Sequence, residues 1–209
     1  MTAADFVPET ASLDELRRAA ADCRGCELWE HATRTVFSAG PVDARVALVG
    51  EQPGDVEDQQ GQPFVGPAGR LLVRAIDEAG IPREITYRTN AVKHFRFTQE
   101  GPGRRRIHQT PELRHLTACR PWLVAELRVL RPEVVVCLGA TAVRSLLGAD
   151  VRVLRDRGRL LVRETSQGST PFLVTVHPSS VLRADDRDTA YAGLVADLRV
   201  AAGHLGLGG

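Results

Sequence analysis

Two short apolar runs constrain this chain most. Arg45-Val46-Ala47-Leu48-Val49 stops at Gly50, and Val134-Val135-Val136-Cys137-Leu138 stops at Gly139. Continuous β-rich runs of this length fit strands buried on both faces, as in parallel sheets covered by helices. Helical patterns follow both. Ala68 to Ala79 carries Leu71, Leu72, Ala75 and Ile76 on one face with Gly80 as its stop, and Ala140 to Leu147 is a short helix behind the second run. Further strands are expected over Ile85 to Val92, Arg159 to Val162 and Phe172 to Val176. Further helices are expected from the Ser12/Glu15 capping box to Asp22, from Pro111 to Leu130, and over Asp188 to Ala202. Strands alternating with helices predict an α/β fold, a parallel sheet covered on both faces.

The length of 209 residues, 43% of them hydrophobic, suffices for one core, so a single domain over 1–209 is expected. The first ten residues or so are expected to be disordered. No apolar stretch approaches the ~18 residues of a membrane span and no basic-flanked leader is evident, which predicts a cytoplasmic protein, expected to be monomeric. A net charge of +1 gives no global preference for a polyanion, and apart from Lys93 every basic side chain other than histidine is arginine. The distribution matters more than the sum, and Arg104, Arg105 and Arg106 are adjacent.

Ligands of such folds bind beyond the carboxyl ends of the strands. Three segments satisfy that rule: Gly50 to Asp55, Asn90, and His177-Pro178-Ser179-Ser180. They are expected to meet at one site. The segment Lys93 to Thr110 has no apolar periodicity and is expected to be a long functional loop. Four cysteines, Cys23-x2-Cys26 and Cys119-x17-Cys137, are enough for a tetrahedral zinc or a cubane cluster, while Cys137 inside an apolar run equally suits plain burial. Gly61 to Gly69 is glycine-rich but lacks G-x-x-x-x-G-K-[ST], which disfavours a nucleoside triphosphatase; the amides opening the helix near Ala68 suit a phosphate.

The chain resembles family 4 of the uracil-DNA glycosylases through Gly50-Glu51-x-Pro53-Gly54, Gly61-x-Pro63-Phe64-Val65-Gly66-Pro67-Ala68-Gly69, Thr89-Asn90-Ala91-Val92-Lys93, Leu138-Gly139-Ala140-Thr141-Ala142 and His177-Pro178-Ser179. The resemblance covers roughly residues 20 to 200. It implies a three-layer α/β/α fold with a central, mostly parallel four-stranded sheet, and a 4Fe-4S cluster on Cys23, Cys26, Cys119 and Cys137. It also implies uracil-containing DNA, single- or double-stranded, as the partner. The base would be flipped out, stacked on Phe64, and read by Asn90, whose amide suits uracil N3-H and O4; Gln52 and Asp55 are expected beside it. A wrong base would leave buried polar groups unpaired, at roughly 1 to 3 kcal/mol each. His177 would donate to uracil O2, where charge develops.

Two features depart from ordinary family 4: Glu51-Gln52-Pro53-Gly54-Asp55 in the first motif, and a longer loop carrying Arg104-Arg105-Arg106-Ile107-His108. Both resemble the DNA-crosslinking UdgX type, with Arg104 where a Lys is usual. That resemblance implies His108 as a nucleophile at the sugar C1', with Glu51 accepting its other ring N-H. It also implies phosphate contacts for Arg104, Arg105, Arg106, Ser179 and Ser180. His31, His94, His115 and His204 are expected to be structural or exposed.

Overall fold

The computed structural model describes residues 2–10, 12–101, 103–165 and 168–207. Met1 of the expected disordered segment and Pro102 of the expected functional loop lie outside the described residues. In chain order the first elements are α1 (Leu13–Ala20), β1 (Ser38–Ala39), β2 (Val46–Gly50), α2 (Asp55–Gln60), α3 (Pro67–Glu78), β3 (Thr86–Asn90), β4 (Phe97–Thr98) and β5 (Ile107–His108). The second half adds α4 (Leu113–Leu130), β6 (Val134–Leu138), α5 (Ala140–Leu147), α6 (Val153–Asp156), β7 (Leu160–Thr165), β8 (Gly168–Thr175), α7 (Pro178–Leu182) and α8 (Arg187–His204).

The main sheet runs β1-β3-β2-β6-β8-β7. Its four central strands are parallel, as expected, with Val49 opposite Thr89 on one side and Cys137 on the other. The sheet has six strands rather than four. Ser38 and Ala39 add a short antiparallel edge to β3, and β7 folds back on β8 as a hairpin. Side chains alternate across the central strands with the period of two that a pleated sheet imposes. Ala47, Val49, Val135 and Cys137 pack with Leu16, Leu116, Trp122 and Leu123 of α1 and α4. Val46, Leu48, Val134 and Val136 pack instead with Leu72 and Ile76 of α3 and Leu194 and Leu198 of α8. Two apolar cores on opposite faces of one sheet make the three layers.

The chain leaves β2 for β3 through α3 on one face, then returns across β2 to β6 through α4 on the other. Strand order therefore reverses at β2, and the crevice at the carboxyl ends of β2 and β6 is where such a sheet binds a ligand.

Two expectations are corrected. Among the described N-terminal residues, Thr2 caps a 3-10 turn over Ala3–Asp5, and Ala3 is buried. A side chain at Gly25 would sit 2.5 Å from the Ala3 nitrogen, so this glycine permits the close approach. The segment from Lys93 to Thr110 is not an irregular loop, because β4 and β5 pair antiparallel, Phe97 with His108 and Thr98 with Ile107. Among the described residues, no helix is long and apolar enough to cross a membrane.

Candidate active site

A cavity of about 1030 Å³ opens at the carboxyl edge of the sheet. Glu51 follows β2, Asn90 ends β3 and His177 follows β8, so the three segments expected to converge do line one cavity. Gly50 makes that convergence possible. A Cβ there would lie 2.4 Å from Asn90 Oδ1 and 2.6 Å from Phe64 Cζ, so only glycine lets amide and ring close over the strand end. Phe64 is held at φ 59°, a left-handed conformation costing a bulky residue about 1 to 2 kcal/mol. It is held by packing: a Cβ on Gly69 would fall 2.0 Å from the Phe64 carbonyl oxygen, so the first turn of α3 lies directly on the Phe64 backbone. The buried Glu57 accepts a 2.8 Å bond from the Gly66 amide and fastens the same loop from below.

Glu51 is the centre of the polar constellation. Its Oε1 lies 2.8 Å from His108 Nε2, and its Oε2 accepts from the Thr141 hydroxyl at the start of α5. Burial pushes this carboxyl up, but the hydrogen bonds from His108 and Thr141, with attraction to both His108 and His177, outweigh it and hold the group below its ordinary value. The carboxylate form is therefore the one the site favours.

His177 carries the opposite character. Its Nδ1 accepts the Ser179 amide at 3.1 Å and faces Ser179 Oγ at 2.8 Å. With Nδ1 accepting, Nε2 bears the proton of the neutral ring. Burial pushes its pKa down to about 4, with Glu51 pulling upward and His108 and Arg183 adding to the fall. The ring is thus a neutral donor. Ser180 is exposed and donates to the His177 carbonyl at 2.7 Å.

The β4–β5 hairpin forms the outer wall. Gln52 is buried and donates to the Arg96 and Gln109 carbonyls at 3.0 and 3.1 Å, while its own oxygen accepts the Arg96 amide at 3.0 Å. One side chain thereby clamps both strands of the hairpin. Arg106 supplies the second attachment: it bonds Asp55 at 2.5 Å and the fully buried Asp58 at 2.6 Å, and its guanidinium lies 5.3 and 5.0 Å from the Phe95 and Phe97 ring centroids. Asp55 and Asp58, three apart on α2, present both carboxylates on one face. Gln52 and Asp55 line the cavity, but their side chains are engaged by the hairpin; Arg104 and Arg105 are exposed, and Arg105 also faces the cavity. His108, at the base of the hairpin, has a side chain 46% exposed and is held by Glu51 and by Gln52 Nε2, 3.3 Å from Nδ1.

All four cysteines are free thiols belonging to one core cluster, Cys26 at its margin. Trp122 Nε1 donates to Cys23 Sγ at 3.1 Å and the Lys93 amide to Cys119 Sγ at 3.3 Å. Burial pushes the Cys119 thiol up to about 12, against the pull of Lys93, and pushes Cys137 up as well. The donor set suits a thiolate-bound cluster in kind. Even so, among the described residues no three His, Cys, Asp or Glu side chains form a group that would hold a metal ion.

Sequence reasoning missed three contributors: Asp58, Thr141, and the buried pair of Lys93 with Glu126. Thr141 lies within the Leu138-Gly139-Ala140-Thr141-Ala142 motif, and Lys93 carried its own signal as the lone lysine. His94 and His115 are buried and bonded to Thr35 and Glu27.

A doubly wound α/β protein with a carboxylate–imidazole pair at its switch point and a second, neutral imidazole across the cavity has the equipment of a hydrolytic enzyme. Residues 37–199 match the model of the uracil DNA glycosylase superfamily. A type-4 uracil-DNA glycosylase of Thermotoga maritima is 36% identical over 162 residues, covering 77% of this chain and 78% of the relative. One of Archaeoglobus fulgidus is 34% identical over 175 residues, covering 82% and 83%. This chain belongs to the uracil-DNA glycosylase superfamily.

Proposed function

We propose that this chain excises uracil from DNA and that His108 then bonds covalently to C1' of the sugar left behind. The observation that carries the reading is the 2.8 Å contact between His108 Nε2 and Glu51 at the mouth of the cavity.

The flipped base stacks on Phe64, and the buried Asn90 amide pairs with N3-H and O4 of uracil, a pattern cytosine presents reversed. As the C1'–N1 bond breaks, its electron pair leaves on the uracil, and the neutral His177 donates to the oxygen where charge gathers. The sugar becomes an electron-poor cation. A His108 ring nitrogen gives its lone pair to C1' before water does, and the remaining ring proton is shared with the Glu51 carboxylate. Exposed Arg104 and Arg105, with Ser179 and Ser180, engage DNA phosphates, whereas Arg106 acts chiefly by holding the hairpin. Cys23, Cys26, Cys119 and Cys137 are proposed to hold a 4Fe-4S cluster that ties the N-terminal segment to α4 and β6. Its role in this reading is structural.

The test is a denaturing gel after incubation with a uracil-containing oligonucleotide. A slow band that survives heat and detergent, and that His108→Ser abolishes, is the expected outcome. Free abasic DNA without such a band would assign the chain to ordinary turnover hydrolysis, the activity the names of its type-4 relatives describe.

A further inference from the structure

We propose that Thr141 is a positioning residue of this site, its hydroxyl fixing the Glu51 carboxylate so that the other oxygen is held towards His108. The inference rests on the reading that Glu51 and His108 act at the sugar. Thr141 is 8% exposed, one residue past Ala140 at the start of α5, and its Oγ1 donates to Glu51 Oε2 while Glu51 Oε1 meets His108 Nε2.

A carboxylate bonded at one oxygen still swings about its terminal torsion, whereas bonds at both oxygens fix its plane. The second anchor is rigid, because a β-branched side chain in a helix has few χ1 choices. It also comes from a separate part of the frame. α5 follows β6, which pairs with β2, the strand that Glu51 directly follows, so Glu51 is tied to two adjacent strands. The exposed His108 then docks against an oxygen whose direction is set before DNA arrives, which is the preorganisation a reacting group needs.

The bond also counts electrostatically. The charged and titratable groups around Glu51 are His108 from β5, His177 from the β8–α7 junction, and Asp55, Glu57, Arg105, Arg106 and Arg183 along the cavity. Burial raises the Glu51 pKa, and Thr141 is one of two hydrogen-bond donors opposing it. Without the hydroxyl, Glu51 protonates at a higher pH.

Full-length Thr141→Val and Thr141→Ser are compared with the parent chain in single-turnover reactions on a uracil-containing oligonucleotide, across pH, with thermal melting as the control for folding. The valine variant is expected to form the adduct about tenfold more slowly at neutral pH, the loss typical of one hydrogen bond to a charged group. Its acid limb is expected to move to higher pH with half-saturating DNA concentration unchanged. Serine, which keeps the hydroxyl, is expected to restore most of the rate and the original limb. A valine variant with parental rate and limb would overturn the proposal, and so would a serine variant as slow as valine, since packing alone would then account for the loss. If the parent chain formed no adduct, the crosslinking reading would fall, while the same limb measured on uracil release would still decide the role of Thr141.

Discussion

The inner and outer walls of the cavity are built on different principles. The inner wall, with Glu51, Asn90 and His177, grows directly from the ends of three parallel strands buried on both faces. The outer wall is a hairpin of two-residue strands bearing an exposed histidine, attached through one glutamine and one arginine. In the proposed function the fold itself therefore supplies base recognition and leaving-group stabilisation, which need precision. The group proposed to attack the sugar is carried by an appendage that side chains latch to the frame. In that reading a superfamily member gains new chemistry without disturbing its sheet.

The comparison breaks most visibly at the frame. Lys93→Met leaves Glu126, which is fully buried, without its ion partner, and is expected to cost about 3 to 5 kcal/mol of stability in denaturant unfolding. Adding Glu126→Leu should recover much of it; if the single variant unfolds like the parent, the inner wall is less dependent on that pair than its burial indicates. The latch comes next. Asp58→Asn weakens one anchor of Arg106, and the adduct is expected to form about tenfold more slowly while uracil release changes little. Gln52→Ala removes three bonds to the hairpin and is expected to act similarly but more mildly, by a few-fold, because its partners regain water at an exposed edge. Equal losses of uracil release and adduct in either variant would show that the walls act as one unit.

A separate effect is that of pH on stability. His177 and His94 are both held by burial near a pKa of about 4, against an ordinary value of 6.5. Between those values the unfolded chain binds more protons than the folded one, so each group's contribution is complete above pH 6.5 and is lost as pH falls towards 4. Melting temperature is expected to be flat above that range and to decline steadily within it. His94→Gln should flatten part of the decline.

The parallel centre of the sheet was legible chiefly because β2 and β6 are uninterrupted apolar runs, each followed by a helix with a clear stripe or stop. The edges were not. β1 is two residues long and exists because Ser38 and Ala39 meet β3, which local pattern does not encode. The hairpin is closed by Gln52, whose partners Arg96 and Gln109 lie 44 and 57 positions away, so the segment alone reads as structureless. The N-terminal turn was missed for a similar reason, since its order comes from Ala3 packing beside Gly25. At the site, motif and resemblance identified Glu51, Asn90, His108 and His177. Beyond the contact of Glu51 with His108, they did not reveal which side chains hold those groups in position, because such contacts join elements remote in sequence.

The burial of Lys93 bears on how any covalent product is interpreted. It is the only lysine of the chain, fully enclosed, with its ammonium engaged by Glu126, Thr89 and the Asn90 carbonyl. No lysine amine is therefore available to condense with the ring-opened aldehyde of an abasic sugar, and borohydride has no lysine imine to reduce. A protein–DNA linkage that forms without reductant points away from Schiff-base chemistry at a lysine before any variant is made.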